Sequence, residues 1–107
     1  MLTLQGTGDP REIAVLLQSG IPNSGISCEL VSRVERSGVV LLIFEKYYFR
    51  NSSRASLTVL ISGEDGRVTV DAVASGAGNG TLFNFDWGAA GNFEDAVRRT
   101  LAPHGFS

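Results

Sequence analysis

Hydrophobic positions recur along the chain with two periods, one helical and one extended. Over residues 10–19, Ile13, Leu16 and Leu17 return at helical spacing and predict an amphipathic helix. Asp9 is placed to cap it, Pro10 occupies the first turn where its missing N–H costs nothing, and Glu12 holds the capping-box position. Gly20 and then Pro22 mark the stop. A second helix is expected from about Asn92, with Asp95 as its box-like partner and Phe93, Ala96, Val97, Thr100 and Leu101 as its buried stripe. Glu94 and Asp95 lie at its positive end and Arg98 and Arg99 at its negative end, as two acidic–basic pairs four residues apart, and Pro103 ends it.

Between the helices the period is two. A short strand over residues 2–5 leads into Gly6-Thr7-Gly8. Residues 26–36 and 39–50, joined at Ser37-Gly38, predict a long hairpin in which Glu29 faces Lys46, Val31 faces Phe44 and Val34 faces Leu41. Asp65-Gly66 is a type I′ turn signal between residues 55–63 and 67–76. Its register pairs Glu64 with Arg67, Ile61 with Val70, Val59 with Ala72 and Leu57 with Ala74, so one face is apolar. After the glycine-rich stretch 76–80, a sixth short strand is expected at residues 81–86.

The expected fold is therefore α+β: one antiparallel sheet of five to six strands, in the order β-α-β-β-β-β-β-α, with two short helices on one face. Such a sheet is roughly 24 to 29 Å wide, and two helices of about 10 Å diameter nearly cover one side of it. The central strands, at ~33 Å, outrun helices of ~16 Å, so the stretch from Tyr47 to Arg54 should project beyond the helix layer. Residues 39–44, VVLLIF, are apolar on both strand faces, the pattern of a strand buried on both sides. Two helices cannot cover both faces. The hairpin register assigns Val31, Val40, Leu42 and Phe44, with Tyr48 nearby, to the uncovered face, which predicts a symmetric dimer formed through the sheet. Burying four such side chains is worth on the order of 6 to 12 kcal/mol before association costs.

Composition narrows the function classes. The 107 residues make one domain, 1–107, and are 43% hydrophobic and 19% charged, which excludes a disordered tail. Nine basic residues stand against eleven acidic ones, and they are spread evenly along the chain. No basic stripe gathers phosphates, so nucleic acid is not expected as a partner. No apolar run approaches the ~20 residues that cross a bilayer and no signal peptide is visible, so no membrane partner is expected and the cytoplasm is the default compartment. One cysteine and one histidine, Cys28 and His104, permit no internal disulfide and no multi-thiolate metal site, and no cofactor is expected.

Candidate chemistry is sparse. Gly6-Thr7-Gly8 lacks the third glycine of a dinucleotide fingerprint and reads as a helix cap; GAGNGT, residues 76–81, lacks the lysine of a phosphate loop and reads as a turn. Cys28 is expected mid-strand, facing the core, and His104 in a loose tail, too unrelated to act as a nucleophile–base pair. Glu45 falls on the strand face of Leu41, Ile43, Tyr47 and Phe49, which the assignment above puts under the helices, where a carboxylate needs a cation or a raised pKa. Arg50 and Arg54 flank a hydroxyl-rich turn that can hold a carboxylate or phosphate. Glu45 is read first as an ion-pair partner of Arg54 or as reaching solvent past the helix ends, and Arg50 and Arg54 as flanking a solvated turn; under the alternative, Glu45, Tyr47, Arg50 and Arg54 are the polar residues of a site for a small anionic, partly apolar ligand between sheet and helices.

EKYYFRNSSRASL at residues 45–57, DAVASGAGNGTLFNFDWG at 71–88 and the helix at 93–101, with SGISCEL at 24–30 more loosely, resemble a family of short uncharacterised bacterial proteins known only as a domain of unknown function. Where its members carry a lysine near residue 84 and acidic residues near 89 and 90, this chain has Asn84, Ala89 and Ala90. The resemblance implies a bacterial, cytosolic single-domain protein and assigns no activity. The leading expectation is a non-enzymatic binding or interaction module that forms a homodimer. A carrier or small enzyme for an anionic metabolite is the alternative. A filled core with an apolar outer sheet favours the module, and a pocket between sheet and helices favours the alternative.

Overall fold

The computed structural model describes residues 1–24, 27–48, 53–77 and 87–107, and their side chains apart from 47, 48, 53, 77 and 87–92. The elements run β1 (Leu2–Thr7), α1 (Pro10–Gly20), β2 (Glu29–Arg36), β3 (Val39–Tyr48), β4 (Ser53–Glu64), β5 (Arg67–Ala77) and α2 (Trp87–Leu101), followed by a 3-10 turn at Ala102–His104. Five strands form one antiparallel sheet in the spatial order β1-β5-β4-β3-β2. The α+β architecture expected from the sequence is present. The sixth strand expected at residues 81–86 lies outside the described residues. The chain begins at one sheet edge, and α1 carries it across the sheet to β2 at the other.

Local chemistry explains the ends. Asp9 caps α1 by accepting from the Arg11 N–H at 3.0 Å, with Pro10 in the first turn. Gly20 does not stop this helix; it is the last residue of it, and Ile21 follows in the right-handed region. A Cβ at Gly20 would lie 2.5 Å from Thr100 Cγ2, so the glycine lets α2 approach α1. The other helix, α2, starts five residues earlier than expected, at Trp87, and its described acidic–basic contact runs from Arg98 to Asp95 at 3.5 Å, three residues apart. At the second hairpin, Asp65 and Gly66 take φ values of 53° and 79°, the type I′ turn read from the sequence, and all four expected pairs occur.

The first hairpin keeps its turn and its Val34–Leu41 pair, then departs. A bulge at Val31 shifts the register by one, so Leu30 opposes Phe44 and Glu29 opposes Glu45, not Lys46.

Both helices lie on one face, and that face is the reverse of the one assigned from the sequence. Phe44 pairs with Leu57, Leu42 with Val59 and Val40 with Ile61, and all six side chains are no more than 1% exposed. They pack with Ile13, Ala14 and Leu17 of α1 and Phe93, Ala96, Val97 and Leu101 of α2. Val40, Leu42 and Phe44 are therefore core residues, not an uncovered face. The physical reason lies in β4 and β5. One side of their hairpin is apolar throughout while the other is mostly hydroxyl-bearing or charged, and β3 must present its matching side to the same layer.

Candidate functional site

With the core on the inner side, the open side of the sheet has no described helix over it. Its rows follow from the register. Val34, Leu41, Leu60, Asp71 and Thr3 form one, and Ser32, Ile43, Thr58 and Val73 the next. Hydroxyls frame these rows: Ser56 and Ser75 lie 2.8 Å apart across β4 and β5, and Thr3 donates to Asp71 at 2.7 Å. Leu60 remains 39% exposed and Val73 41%, while Val34, Leu41 and Ile43 are half-buried by their neighbours. The result is a short apolar stripe in a polar frame, with Glu29 and Glu45 opposed at one end and Arg36 and Arg67 at the other. Glu64, the register partner of Arg67, and Arg54, one row beyond Glu45, place the opposite sign at each end as well.

Both edges of this sheet are closed to further strands. On β1, the Gln5 N–H donates to the Ser107 carbonyl at 3.0 Å and the Ser107 N–H donates back to Gln5 at 3.1 Å. On β2, the Val31 bulge and the charged Glu29, Arg33, Glu35 and Arg36 blunt the edge. Two of these charges also fasten the helix layer. Glu35 accepts from Arg11 of α1 at 2.7 Å and from Arg33 at 3.0 Å, and Arg33 donates to Gln18 at 2.9 Å.

The residues singled out in the sequence divide accordingly. Glu45 is half-buried on the open side, opposite Glu29 and Ser56, not between sheet and helices. Arg54 is exposed, in register with residue 47, whose side chain lies outside those described, as does that of Tyr48. Arg50 is outside the described residues. Val31 is on the bulge and 45% exposed. Among the described residues, those between sheet and helices are buried in the core, with Leu17, Ile21, Phe44, Leu57 and Phe93 all less than 2% exposed.

Cys28 packs against the core; burial pushes its thiol above the ordinary cysteine range, and the charge of Lys46 pulls it partly back. His104 lines a cleft with Glu12, Ile13 and Leu16 that does not include Cys28. The segment after His104 is not loose. Gly105 turns in the left-handed region and Phe106 is buried.

Sequence reasoning missed two features of the surface. Leu60 and Val73 were recoverable, because joining β3 to the β4–β5 hairpin by its apolar side fixes which residues face out. The pairing of residue 107 with β1 has no sequence signal beyond a lone aromatic after Gly105.

No described helix is long and apolar enough to cross a membrane, and no group of three or more histidine, cysteine or acidic residues is placed to hold a metal among the described residues. No curated protein and no solved structure matches the chain. A model of a family of unknown function, DUF6054, matches residues 1–105, and the chain belongs to that family.

Proposed function

We propose that this chain is a non-enzymatic interaction module that self-associates by stacking the open sides of two sheets. The observation that carries the reading is the apolar stripe of Val34, Leu41, Ile43, Leu60 and Val73 on the one sheet face that the helices leave bare. Closed edges leave face-to-face stacking as the route by which two copies meet. A two-fold stack with antiparallel strands also sets Arg36 of one copy over the opposed Glu29 and Glu45 of the other, relieving a like-charge pair.

The association is weak and reversible. Leu60 and Val73 are already more than half covered, so burying their remaining surface on two copies is worth roughly 2 to 5 kcal/mol. The cost of association begins at about 4 kcal/mol, so the half-buried Val34, Leu41 and Ile43 decide the affinity. This is well below the 6 to 12 kcal/mol expected for Val40, Leu42 and Phe44 exposed in full, because those side chains serve the core. A bacterial, cytoplasmic setting completes the reading, on the family resemblance alone.

Sedimentation equilibrium tests the proposal. The mean mass should rise from one chain towards two as concentration rises through tens of micromolar, and a constant one-chain mass over that range would rule the dimer out.

A further inference from the structure

In the helix layer, the β1–α1 turn, one flank of α1 and the turn after α2 converge around a cleft of about 490 Å³. Ile13, Val15 and Leu16 give it an apolar wall. Val15 is 60% exposed there, more than any other large hydrophobic of the described residues except Met1. Gly8 leaves the Ile13 end of the wall uncovered, since a Cβ at that position would stand 3.7 Å from Ile13 Cδ1. Two polar side chains, Glu12 and His104, complete the lining.

Neither of these two side chains makes a hydrogen bond or ion pair with the described residues. Towards β2, by contrast, the polar groups of α1 are engaged, Arg11 with Glu35 at 2.7 Å and Gln18 with Arg33 at 2.9 Å. A carboxylate and an imidazole nitrogen both accept hydrogen bonds, and an ammonium group carries three donors and no acceptor. An anion is received poorly. Pro10 has no N–H, the Arg11 N–H is taken by the Asp9 carboxylate and the Ile13 N–H by the Asp9 carbonyl. The start of α1 therefore keeps only the Glu12 N–H for an anion, next to the Glu12 carboxylate.

We propose that this cleft binds a small apolar primary amine, its carbon body against Val15, Leu16 and Ile13 and its ammonium between Glu12 and His104. An apolar wall with a few convergent polar groups, in a space of this size, is the usual form of a small-molecule site. Glu12 carries the full charge and sets the sign of the ligand. Val15 supplies the apolar area that separates such an amine from methylamine. The wall and the carboxylate both belong to α1, on the side of the sheet opposite the one that stacks. A peptide amino terminus carries the same ammonium, and the test separates it from a free amine.

The test is a titration of the ¹⁵N-labelled chain with phenethylamine at neutral pH. Amide signals of Gly8, Glu12, Val15, Leu16 and His104 should move and saturate with a Kd on the order of 1 mM. Four controls remove one feature each: 2-phenylethanol the charge, 3-phenylpropanoate its sign, methylamine the apolar body, and phenethyltrimethylammonium the N–H donors. Each should bind at least about threefold more weakly. Glu12→Gln and Val15→Ser, both at exposed positions of α1, should weaken phenethylamine binding about fivefold and about threefold. Phe-Gly-Gly should bind no more tightly than phenethylamine. Absence of the shifts at about 20 mM, a control that binds as well as the amine, or unchanged binding by either variant would overturn the proposal. Tighter binding of Phe-Gly-Gly would overturn the assignment to a free amine. If a variant does not fold, the ligand series on the wild-type chain decides.

Discussion

Neighbouring leucines on β3 give a stringent test of which sheet face is the core. Leu42 is fully buried against Val59 and the helix layer, whereas Leu41, its neighbour, lies half-buried on the open side beside Leu60. Truncating Leu42 to alanine removes three buried carbons from a site enclosed on every side, so transfer and cavity terms both apply and the loss should be about 3 to 4 kcal/mol. For a chain of this size that lowers the melting temperature by roughly 10 to 25 °C. Leu41→Ala leaves no enclosed void and should cost about 1 kcal/mol in dilute solution. Urea denaturation followed by far-ultraviolet circular dichroism measures both. A second signature separates them: in the proposed dimer the stripe lies between the two copies, so the Leu41→Ala loss should grow with protein concentration and the Leu42→Ala loss should stay constant. Equal losses, or a larger loss at Leu41, would refute the facing argued here.

Three other substitutions probe local features. Gly20→Ala drives a methyl into Thr100 and should cost about 1 to 3 kcal/mol, most of it recovered in the double variant with Thr100→Ser, which removes the methyl group that Cβ would meet. Asp9→Ala removes the α1 cap and should cost roughly 0.5 to 2 kcal/mol in the same denaturation assay. Cys28 has a raised pKa in the folded chain, so its contribution is intact below the ordinary thiol pKa and is lost as pH rises through the raised one. Urea midpoints at about pH 8 and about pH 10 should therefore fall more steeply for wild type than for Cys28→Ser, and parallel slopes would contradict the burial of this thiol.

Much of the fold was legible because local signals agreed with the tertiary arrangement. Asp9-Pro10 fixed the start of α1, and Asp65-Gly66 fixed both the turn and the full register of β4 with β5. The bulge at Val31 was not legible, since ELVSRV carries no glycine or proline to announce an extra residue, and it moved Glu29 from Lys46 to Glu45. Gly20 looked like a helix stop because sequence alone cannot distinguish a left-handed cap from a point of close helix approach. The facing of β3 was misread for a different reason. VVLLIF is apolar on both sides and has no parity of its own, so it borrows one from β4, where Ser56, Thr58 and Ser62 alternate with Leu57, Val59 and Ile61. Taking the other parity placed the core residues Val40, Leu42 and Phe44 on the expected self-association face and Glu45 under the helices.

The most direct measurement is an isotope-filtered nuclear Overhauser experiment on an equal mixture of ¹³C-labelled and unlabelled chains at a concentration where two copies associate. Intermolecular contacts should appear among the methyl groups of Leu41, Ile43, Leu60 and Val73, with none from Leu42 or Val59 beneath the helices. Contacts between copies confined to the helix layer, such as the exposed Val15, would contradict stacking through the open sheet.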